Sequence, residues 1–274
     1  MANVGLVLSG GGARAAYQVG ALRALSKILD SKTCPFSILA GLSAGAINSS
    51  AIGTGADDFP AAVEKLTETW MSLTPDAVYK TDAHQLAGLG MRWIRDLAMG
   101  GALGGRRVNY LLDTAPLHEL IAREIDMSRL QKHFDSKVLR GVAVSATNYL
   151  TGTTVTFYDG APDVKPWVRH GRIALREKLQ TEHVMASAAI PIFFPPVSID
   201  GKPFGDGGVR MTTPLSPAVH LGSDKIVAIG IRYFRSAEQT MQLNTDLRAP
   251  RVTVAQIAGV LLNSLFLDSL DNDF

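Results

Sequence analysis

The beginning of the chain constrains the fold more than any other segment. Val4–Ser9 is a continuous apolar run that ends at three consecutive glycines, Gly10–Gly12. An unbroken apolar run bounded by glycine is typical of a β-strand that is buried on both faces. From Arg14 to Leu29 the apolar residues recur three or four positions apart, which is the spacing of an amphipathic helix. The sequence therefore predicts a buried strand, a glycine loop and a helix, in that order.

Later segments continue this alternation of strands and helices. Further strands are predicted at Phe36–Gly41, Val138–Ala146, Thr153–Tyr158 and Ile226–Ile231, and helices at Ala44–Ile52 and Ala61–Leu73. Strands that alternate with helices favour an α/β fold, with a largely parallel sheet and helices on both of its faces. The sequence contains no internal repeat and no linker rich in Pro or Ser, so we expect a single domain over residues 1–274.

Composition excludes several classes of function. The 274 residues are 46% hydrophobic and 19% charged, which is ordinary for a globular protein. Lys plus Arg number 27 and Asp plus Glu number 25, so the net charge is only +2. A nucleic-acid groove needs a concentrated basic surface, and we therefore expect no nucleic-acid partner. The single cysteine, Cys34, excludes an intrachain disulfide and a multi-cysteine metal site, and no ligand cluster is visible, so we expect no metal and no cofactor.

The two ends of the chain bear on its location. No basic segment followed by an apolar one opens the sequence, and the apolar stretch Ile257–Leu267 is shorter than the ~20 residues of a spanning helix. We therefore expect a cytoplasmic protein.

Val252–Leu270 has the pattern of a long helix, and no capping residue precedes Phe274. We expect this C-terminal helix to be truncated and the native chain to continue.

A G-x-S-x-G motif follows the second predicted strand. It consists of Gly41, Leu42, Ser43, Ala44 and Gly45, and a predicted helix begins directly after the serine. A serine on a sharp strand-to-helix turn exposes its hydroxyl, and glycines on both sides let the neighbouring backbone approach closely. The helix N-terminus also favours negative charge that develops nearby. The motif predicts that Ser43 is a nucleophile.

The glycine loop after the first strand has two functional interpretations. Its consecutive glycines, Gly10, Gly11 and Gly12, can direct backbone N–H groups at one oxyanion, with Arg14 anchoring the loop or adding positive charge. Alternatively, Gly10–Ala15 satisfies the dinucleotide fingerprint G-x-G-x-x-G/A and would make the chain a nucleotide-binding module. The acidic residue expected about 20 positions later, at the end of the next strand, is missing, because Asp30 ends a helix.

A third motif contains an aspartate followed by two glycines, Asp206, Gly207 and Gly208. The preceding Asp200–Gly201 pair predicts a hairpin turn, with Phe204 on the returning strand and Asp206 at its exit. By itself the aspartate is more consistent with a plain turn residue than with a catalytic one. Its importance depends on whether Ser43 needs it as a base.

A serine hydroxyl is a poor nucleophile without an adjacent base, and two bases are available. Ser43, Asp206 and His220 occur in the Ser–acid–His order of an α/β-hydrolase triad. His220, however, lies in a short predicted helix, Pro214–Leu221, where a solvated histidine is the alternative. Without a histidine, Asp206 would take the proton directly, and burial would have to raise its pKa above the usual ~3.9.

Together the three motifs resemble those of the patatin-like phospholipases. The similarity extends to Ala186–Pro191 and Phe193–Pro196, which resemble the stretch that these proteins carry shortly before their aspartate. Ala15 is a departure, since the family's glycine loop often closes with glycine at this position.

The resemblance implies a three-layer α/β/α fold and a serine acyl-ester hydrolase that acts on lipids through an acyl-enzyme, as a phospholipase A or lysophospholipase does. It implies that Ser43 is the nucleophile and Asp206 the base of a dyad. The roles it implies for the other motif residues are an oxyanion hole formed by Gly10, Gly11 and Gly12 with Arg14, and structural support from Gly41, Gly45, Gly207 and Gly208. The expected partner is a lipid or other acyl-ester substrate.

Two segments predict peripheral contact with a membrane surface. Ala87–Val108 combines six glycines with interleaved Met, Trp, Leu and Arg, which is typical of a mobile excursion from the sheet, and we expect a lid-like insertion there. A second basic run comprises Arg169, His170, Arg172, Arg176 and Lys178. The alternative for both segments is a solvated basic surface or an oligomer contact.

Overall fold

The computed structural model describes residues 2–80, 110–211, 214–231 and 236–245, together with residues 253, 256, 257 and 260. The strands within these ranges are β1 (Val4–Leu8), β2 (Ile38–Leu42), β3 (Gly141–Asn148), β4 (Thr153–Gly160), β5 (Val168–Arg169), β6 (Arg172–Arg176), β7 (Val197–Ile199), β8 (Lys202–Asp206) and β9 (Lys225–Ile229). The helices are α1 (Ala16–Leu29), α2 (Ala44–Thr54), α3 (Phe59–Met71), α4 (Ala115–Glu124), α5 (Arg129–Asp135), α6 (Thr181–Ala188), α7 (Leu215–His220) and α8 (Ala237–Thr245). Three short 3-10 turns lie at Gly12–Ala15, Pro75–Ala77 and Gly207–Val209.

The nine described strands form one mixed sheet. Its strand order is β5-β6-β4-β3-β2-β1-β9, and the β7–β8 hairpin attaches to β3. Strands β9, β1, β2 and β3 are parallel, whereas β4 and β8 run antiparallel to β3. The parallel part carries the glycine loop and the G-x-S-x-G turn, so both begin at the same edge of the sheet.

Alternate residues of the central strands enter two hydrophobic cores, one on each face of the sheet. Leu6 and Leu8 pack with helix residues of the larger core, while Val7 between them belongs to the smaller one. Helices α1 to α6 contribute to the larger core, and α7 covers the other face through Ala218 and Leu221. Burial on both faces explains why these strands are continuous apolar runs. The helix–sheet–helix layering confirms the predicted three-layer α/β/α fold.

The predicted strands and helices are present, with bounds that shift by a few residues. The Asp200–Gly201 hairpin turn forms as expected, with positive φ at both residues, and Asp206 is the last residue of β8. Sequence patterns did not identify α4, α5, α6, α8 or strands β5 and β6 beforehand. The lid-like segment Ala87–Val108 lies outside the described residues, as does most of Val252–Leu270.

Cys34 is buried, and its burial raises the pKa of the thiol to about 12. Within the described ranges, none of the helices combines the length and the apolar character needed to cross a bilayer.

Candidate active site

The parallel pairing of β1 and β2 brings the first two motifs together. Leu8 is paired with Gly41, so the chain leaves both strands at the same sheet edge. The glycine loop packs directly against the serine turn: a Cβ atom added to Gly10 would lie 3.2 Å from the Cβ of Ser43. Only a residue without a side chain allows this approach without displacing the turn.

Ser43 itself occupies a strained turn between β2 and α2. Its φ of 53° and ψ of −127° are rarely adopted by a residue that has a side chain. Such a conformation costs on the order of 1–3 kcal/mol and persists only when the surroundings hold it. Gly45, in the first turn of α2, packs closely on the backbone carbonyls of Leu8 and Ser9, and a Cβ atom at this position would overlap them. The predicted sharp turn is therefore present.

Asp206 contacts Ser43 although the two residues are far apart in the sequence. Its strand β8 pairs antiparallel with β3, where Asp206 lies opposite Ala146. The Ser43 hydroxyl donates a hydrogen bond to Oδ2 of Asp206 at 2.6 Å, and the Gly208 amide donates to Oδ1 at 2.7 Å. A donor–acceptor distance of 2.6 Å is typical of a charge-assisted O–H···O⁻ bond. The serine and the aspartate thus form a direct pair with no intervening histidine.

Burial controls the protonation of this pair. Asp206 is 0% exposed and Ser43 is 6% exposed. Loss of hydration raises the pKa of Asp206 to about 6, although the hydrogen bonds from Ser43 and Gly208 lower it in part. Tyr149, whose ring packs on Gly205, has a pKa raised to about 12 by its own burial and by the Asp206 charge. The carboxyl group is therefore ionised at neutral pH and is more basic than an exposed aspartate.

The remaining glycines and Arg14 occupy distinct positions around this pair. Gly207 packs on the Ser145 carbonyl and on Leu42, and a Cβ would overlap both, as would one at Gly41 with Gly45 and Ser49. Gly12 begins the 3-10 turn with a φ of +54° and lines a cavity together with Ser43. Gly11 abuts Ile231, and Arg14 lies exposed in the 3-10 turn. Most glycines of the three motifs therefore contact Ser43, Asp206 or the residues next to them, whereas Gly11 contacts Ile231.

Ser187 completes the immediate surroundings of Ser43, and sequence reasoning missed its role. Its hydroxyl accepts a hydrogen bond from the Ser43 amide at 2.9 Å and donates one to the Ser145 carbonyl at 2.6 Å. Ser187 is fully buried in α6. The Ala186–Pro191 block that carried part of the family resemblance was the available signal.

A second missed group is a buried polar network beneath the glycine loop. The Gln18 amide donates to the Ser9 carbonyl at 2.8 Å, and Asn48 donates to the Gln18 side-chain oxygen at 3.0 Å. The Trp70 indole N–H donates to the Asn48 oxygen at 2.8 Å. Gln18 and Asn48 are both 0% exposed. Because the network joins the glycine loop, α1, α2 and α3, it fixes the loop relative to the serine turn.

His220 is not part of this arrangement. It lies at the end of α7, on the face of the sheet that α7 covers, and stacks on Trp167 with ring centroids 4.6 Å apart. Burial and the charge of Arg169 lower its pKa. The Asp206 carboxylate already occupies the position of a base beside Ser43, so the histidine-triad alternative is not favoured.

A cavity of about 710 Å³ is lined in part by Ser43. Gly12 and Ala13 also line it, and its wall is mostly apolar, with contributions from α2, α3 and α4. Its size and apolar lining are typical of a small-molecule site. The serine hydroxyl is therefore buried from bulk solvent but adjacent to space that a ligand can enter.

The residues of the basic run that was predicted to contact a membrane differ in their exposure to solvent. Arg176 donates hydrogen bonds to the carbonyls of Gly160, Ala161 and Val164 at 2.6–2.9 Å, and its guanidinium lies over the Tyr158 ring. Arg169 and His170 are exposed on the β5–β6 hairpin. Arg176 is therefore a structural residue, and only part of the run faces solvent.

The site therefore combines a strained serine on a strand-to-helix turn with a buried aspartate to which the serine donates a hydrogen bond. This combination defines a candidate serine hydrolase site. The family model for patatin-like phospholipases matches residues 6–219, and the chain belongs to this family. Membership confirms the predicted resemblance.

Similar solved structures share little sequence with this chain. VipD from Legionella pneumophila is 14% identical with a TM-score of 0.46, and the match covers 90% of this chain and 53% of VipD. The type III effector ExoU of Pseudomonas aeruginosa is 16% identical with a TM-score of 0.38, covering 97% and 53%. Human GIVD cytosolic phospholipase A2 is 15% identical with a TM-score of 0.40, covering 92% and 44%. The chain thus spans about half the length of these proteins. No curated protein matches its sequence.

Proposed function

We propose that the chain is a serine acyl-ester hydrolase that acts on lipids through a Ser43–Asp206 dyad. The observation that carries the proposal is the 2.6 Å hydrogen bond from the Ser43 hydroxyl to the buried Asp206 carboxylate. A nucleophilic hydroxyl needs a base within hydrogen-bond distance, and the raised pKa of about 6 gives Asp206 more basicity than an exposed aspartate has.

In the first half of the reaction, Asp206 accepts the Ser43 proton while the serine oxygen attacks the ester carbonyl. The resulting oxyanion lies against the Gly10–Gly12 loop, whose backbone N–H groups would stabilise it, with Arg14 adding positive charge. Proximity supports this role, because Gly10 packs on Ser43, and Gly12 and Ser43 line the same cavity. Collapse of the intermediate breaks the ester C–O bond, and protonated Asp206 gives its proton to the leaving alcohol.

The second half regenerates the enzyme. Asp206, ionised again, accepts a proton from a water molecule, whose oxygen attacks the acyl carbonyl on Ser43. The bond to the serine oxygen then breaks, the proton returns to that oxygen, and a carboxylic acid leaves. No other base is required, so the two residues suffice for both steps.

A lipid is the substrate class that the site favours. Family membership supports it, and the cavity beside Ser43 has an apolar wall suited to an acyl chain. We expect esters to be hydrolysed much faster than amides. The nitrogen of an amide is a poorer leaving group than the oxygen of an ester, so it needs stronger protonation before it leaves, and a lone carboxylic acid provides little. Comparison of an acyl ester with the matching anilide measures this preference.

Peripheral contact with a membrane surface is a further part of the proposal. It would involve Ala87–Val108 and the exposed residues Arg169 and His170, since arginine binds phosphate and aromatic residues favour the interface. Flotation with liposomes tests it: binding should increase with the content of anionic lipid. Equal flotation with neutral and anionic liposomes would contradict it.

Labelling with a fluorophosphonate, with the modified residue located by mass spectrometry, tests the dyad. We expect the label on Ser43, and a strongly reduced rate of labelling in Asp206→Asn. His220→Asn is the matched control and should label at the wild-type rate, because His220 stacks on Trp167 away from the serine. Labelling that depends on His220 would contradict the dyad.

A rise in melting temperature with NAD or ATP would instead support the nucleotide-binding interpretation of Gly10–Ala15.

A further inference from the structure

Gln18 of α1 and Asn48 of α2 are fully buried amide side chains that bond to each other. The segment Gly10–Arg14, which contains the glycine loop, is tied to this pair at both ends. The Gln18 amide donates to the carbonyl of Ser9, directly before the segment, at 2.8 Å. The Asn48 amide donates to the carbonyl of Ala15, directly after the segment, at 3.3 Å. The Gln18–Asn48 pair therefore holds the glycine loop where it begins and where it ends.

The indole of Trp70 fixes the direction of these hydrogen bonds. An indole N–H is a donor only, and it donates to Asn48 at 2.8 Å, so the oxygen of the Asn48 amide faces it. The Asn48 nitrogen then faces the Gln18 oxygen, and the Gln18 nitrogen faces the carbonyls of Ser9 and Ile229. Neither amide can turn over without placing one donor against another or one acceptor against another. The pair is therefore held in one orientation.

Asn48 also connects the glycine loop to the helix that begins directly after Ser43. It lies five residues after the serine, in α2, so it moves with the serine turn. Hydrogen-bond donors stabilise an oxyanion only at about 2.7–3.1 Å, and a misplacement of about 1 Å can lower the rate about 100-fold. A loop that supplies such donors needs a support that is fixed relative to the serine, and Asn48 provides one.

We propose that Gln18 and Asn48 are positioning residues for hydrolysis, which hold the backbone N–H groups of the glycine loop where the oxyanion forms beside Ser43. Both side chains are fully buried and neither lines the cavity, so they act on the reaction only through the loop. The inference rests on the proposed hydrolase function, because an oxyanion forms only if Ser43 attacks an ester.

Limited digestion with trypsin tests the support of the loop without requiring catalysis. Arg14 is exposed, but Ala15 after it is fully buried, so cleavage between them requires local opening of the loop. Lys132 of α5 is also exposed and is followed by a buried residue, His133, so cleavage after Lys132 reports a general loosening of the fold. Mass spectrometry of the fragments measures both rates.

Asn48→Leu and Gln18→Met keep nearly the shape of the native side chains and remove their hydrogen bonds. We expect each variant to raise the rate of cleavage after Arg14 about tenfold relative to the rate after Lys132, because carbonyls at the ends of the loop lose their donors. An equal increase at both sites, or no increase at Arg14, would overturn the inference.

Steady-state hydrolysis of a short, soluble ester measures the consequence for the reaction. In both variants kcat should fall about 10- to 100-fold with KM nearly unchanged, because the lost stabilisation belongs to the transition state. The pH profile of kcat/KM should keep its inflection at the Asp206 pKa of about 6, since the dyad is intact. A merely structural role would lower stability and leave the kcat of the folded protein unchanged, and that result would overturn the inference.

Thr67→Val is the matched control for the loss of a buried polar group. Its hydroxyl bonds within α3, to the Val63 carbonyl, so this variant should keep the wild-type kcat and the wild-type cleavage after Arg14. If circular dichroism shows that Asn48→Leu and Gln18→Met are both unfolded, Trp70→Phe replaces them. It keeps an aromatic ring and removes only the donor to Asn48, and it should also accelerate cleavage after Arg14. An unchanged rate in Trp70→Phe would overturn the inference.

The two proposals fail in different ways. If cleavage after Arg14 accelerates as expected but wild-type protein hydrolyses no ester, the support of the loop stands and the hydrolase function is wrong. If wild-type protein hydrolyses esters through Ser43 but the folded Gln18 and Asn48 variants keep its kcat, the function stands and the positioning role is wrong.

Discussion

The backbone amide of Ser43 donates a hydrogen bond to the side-chain hydroxyl of Ser187, 144 positions later in the sequence, at 2.9 Å. The same hydroxyl donates to the Ser145 carbonyl of β3. Ser187 therefore ties the strained serine turn to the centre of the sheet. A residue with positive φ needs such external support, because its own backbone conformation is unfavourable.

Ser187→Ala should impair catalysis and stability together. It leaves the buried Ser43 amide without its acceptor and the Ser145 carbonyl without this donor, so we expect a loss of about 1–3 kcal/mol in the free energy of unfolding. Displacement of Ser43 should lower kcat about 10- to 100-fold with little change in KM for a short ester. Urea unfolding and steady-state kinetics measure the two effects.

Ser50→Ala is the matched control for this variant. Ser50 is also fully buried, but its hydroxyl has no hydrogen-bond partner in the part of the chain that the structure describes. Its removal should leave kcat unchanged and should not destabilise the fold. An equal loss of kcat in both variants would show that Ser187 has no particular role in positioning Ser43.

The pH dependence of hydrolysis should report the ionisation of Asp206. Only the carboxylate can accept the Ser43 proton, so kcat/KM should fall about tenfold per unit of pH below the pKa of about 6 and reach a plateau above it. Initial rates with a soluble ester measure the profile. His220→Asn should leave it unchanged, whereas an inflection near the ordinary aspartate pKa would contradict the effect of burial.

Replacement of Asp206 should stabilise the fold while removing activity. Burial raises the pKa of Asp206 from 3.8 to about 6, so the folded state disfavours the charged form. The resulting cost is absent well below pH 3.8, increases as the pH rises and is complete above about 6, where it reaches about 3 kcal/mol. Asp206→Asn lacks this cost, so its free energy of unfolding should exceed that of wild type. This excess should be about 2 kcal/mol larger at about pH 7.5 than at about pH 4.5.

Urea unfolding at both pH values measures this gain. Asp200→Asn, which removes an exposed carboxyl group from the β7–β8 turn, is the control for the change of residue type. The expectation fails if Asp206→Asn is destabilised, or if its gain is the same at both pH values.

Two glycines on helices should respond oppositely to alanine. Gly45→Ala places a Cβ onto the carbonyls of Leu8 and Ser9, so α2 must move away from β1, and we expect a loss of several kcal/mol or failure to fold. Gly20→Ala, in α1, meets no atom within 4 Å and should stabilise the protein by about 0.5–1 kcal/mol. Thermal unfolding measures both, and a neutral Gly45→Ala would contradict the close packing.

The sequence predicted the elements that depend on neighbouring residues. Continuous apolar runs identified β1 and β2, and the Asp200–Gly201 pair identified the hairpin that delivers Asp206. The helices α4, α5, α6 and α8 escaped prediction. They are 10, 7, 8 and 9 residues long, so each contains few repeats of the apolar spacing by which a helix is identified.

Three local motifs are predictable from the residues alone: the glycine loop, the G-x-S-x-G turn around Ser43 and the Asp-Gly-Gly turn. Each follows from short-range backbone preferences, and their combination indicated the family. Which of these groups come into contact depends on the packing of distant parts of the chain. The antiparallel register of β8 on β3 places the Asp206 carboxylate against Ser43, α6 brings Ser187 to the serine amide, and α7 holds His220 elsewhere. These contacts join residues far apart in the chain, and they depend on strand register and on how the helices pack on the sheet, which no local pattern encodes.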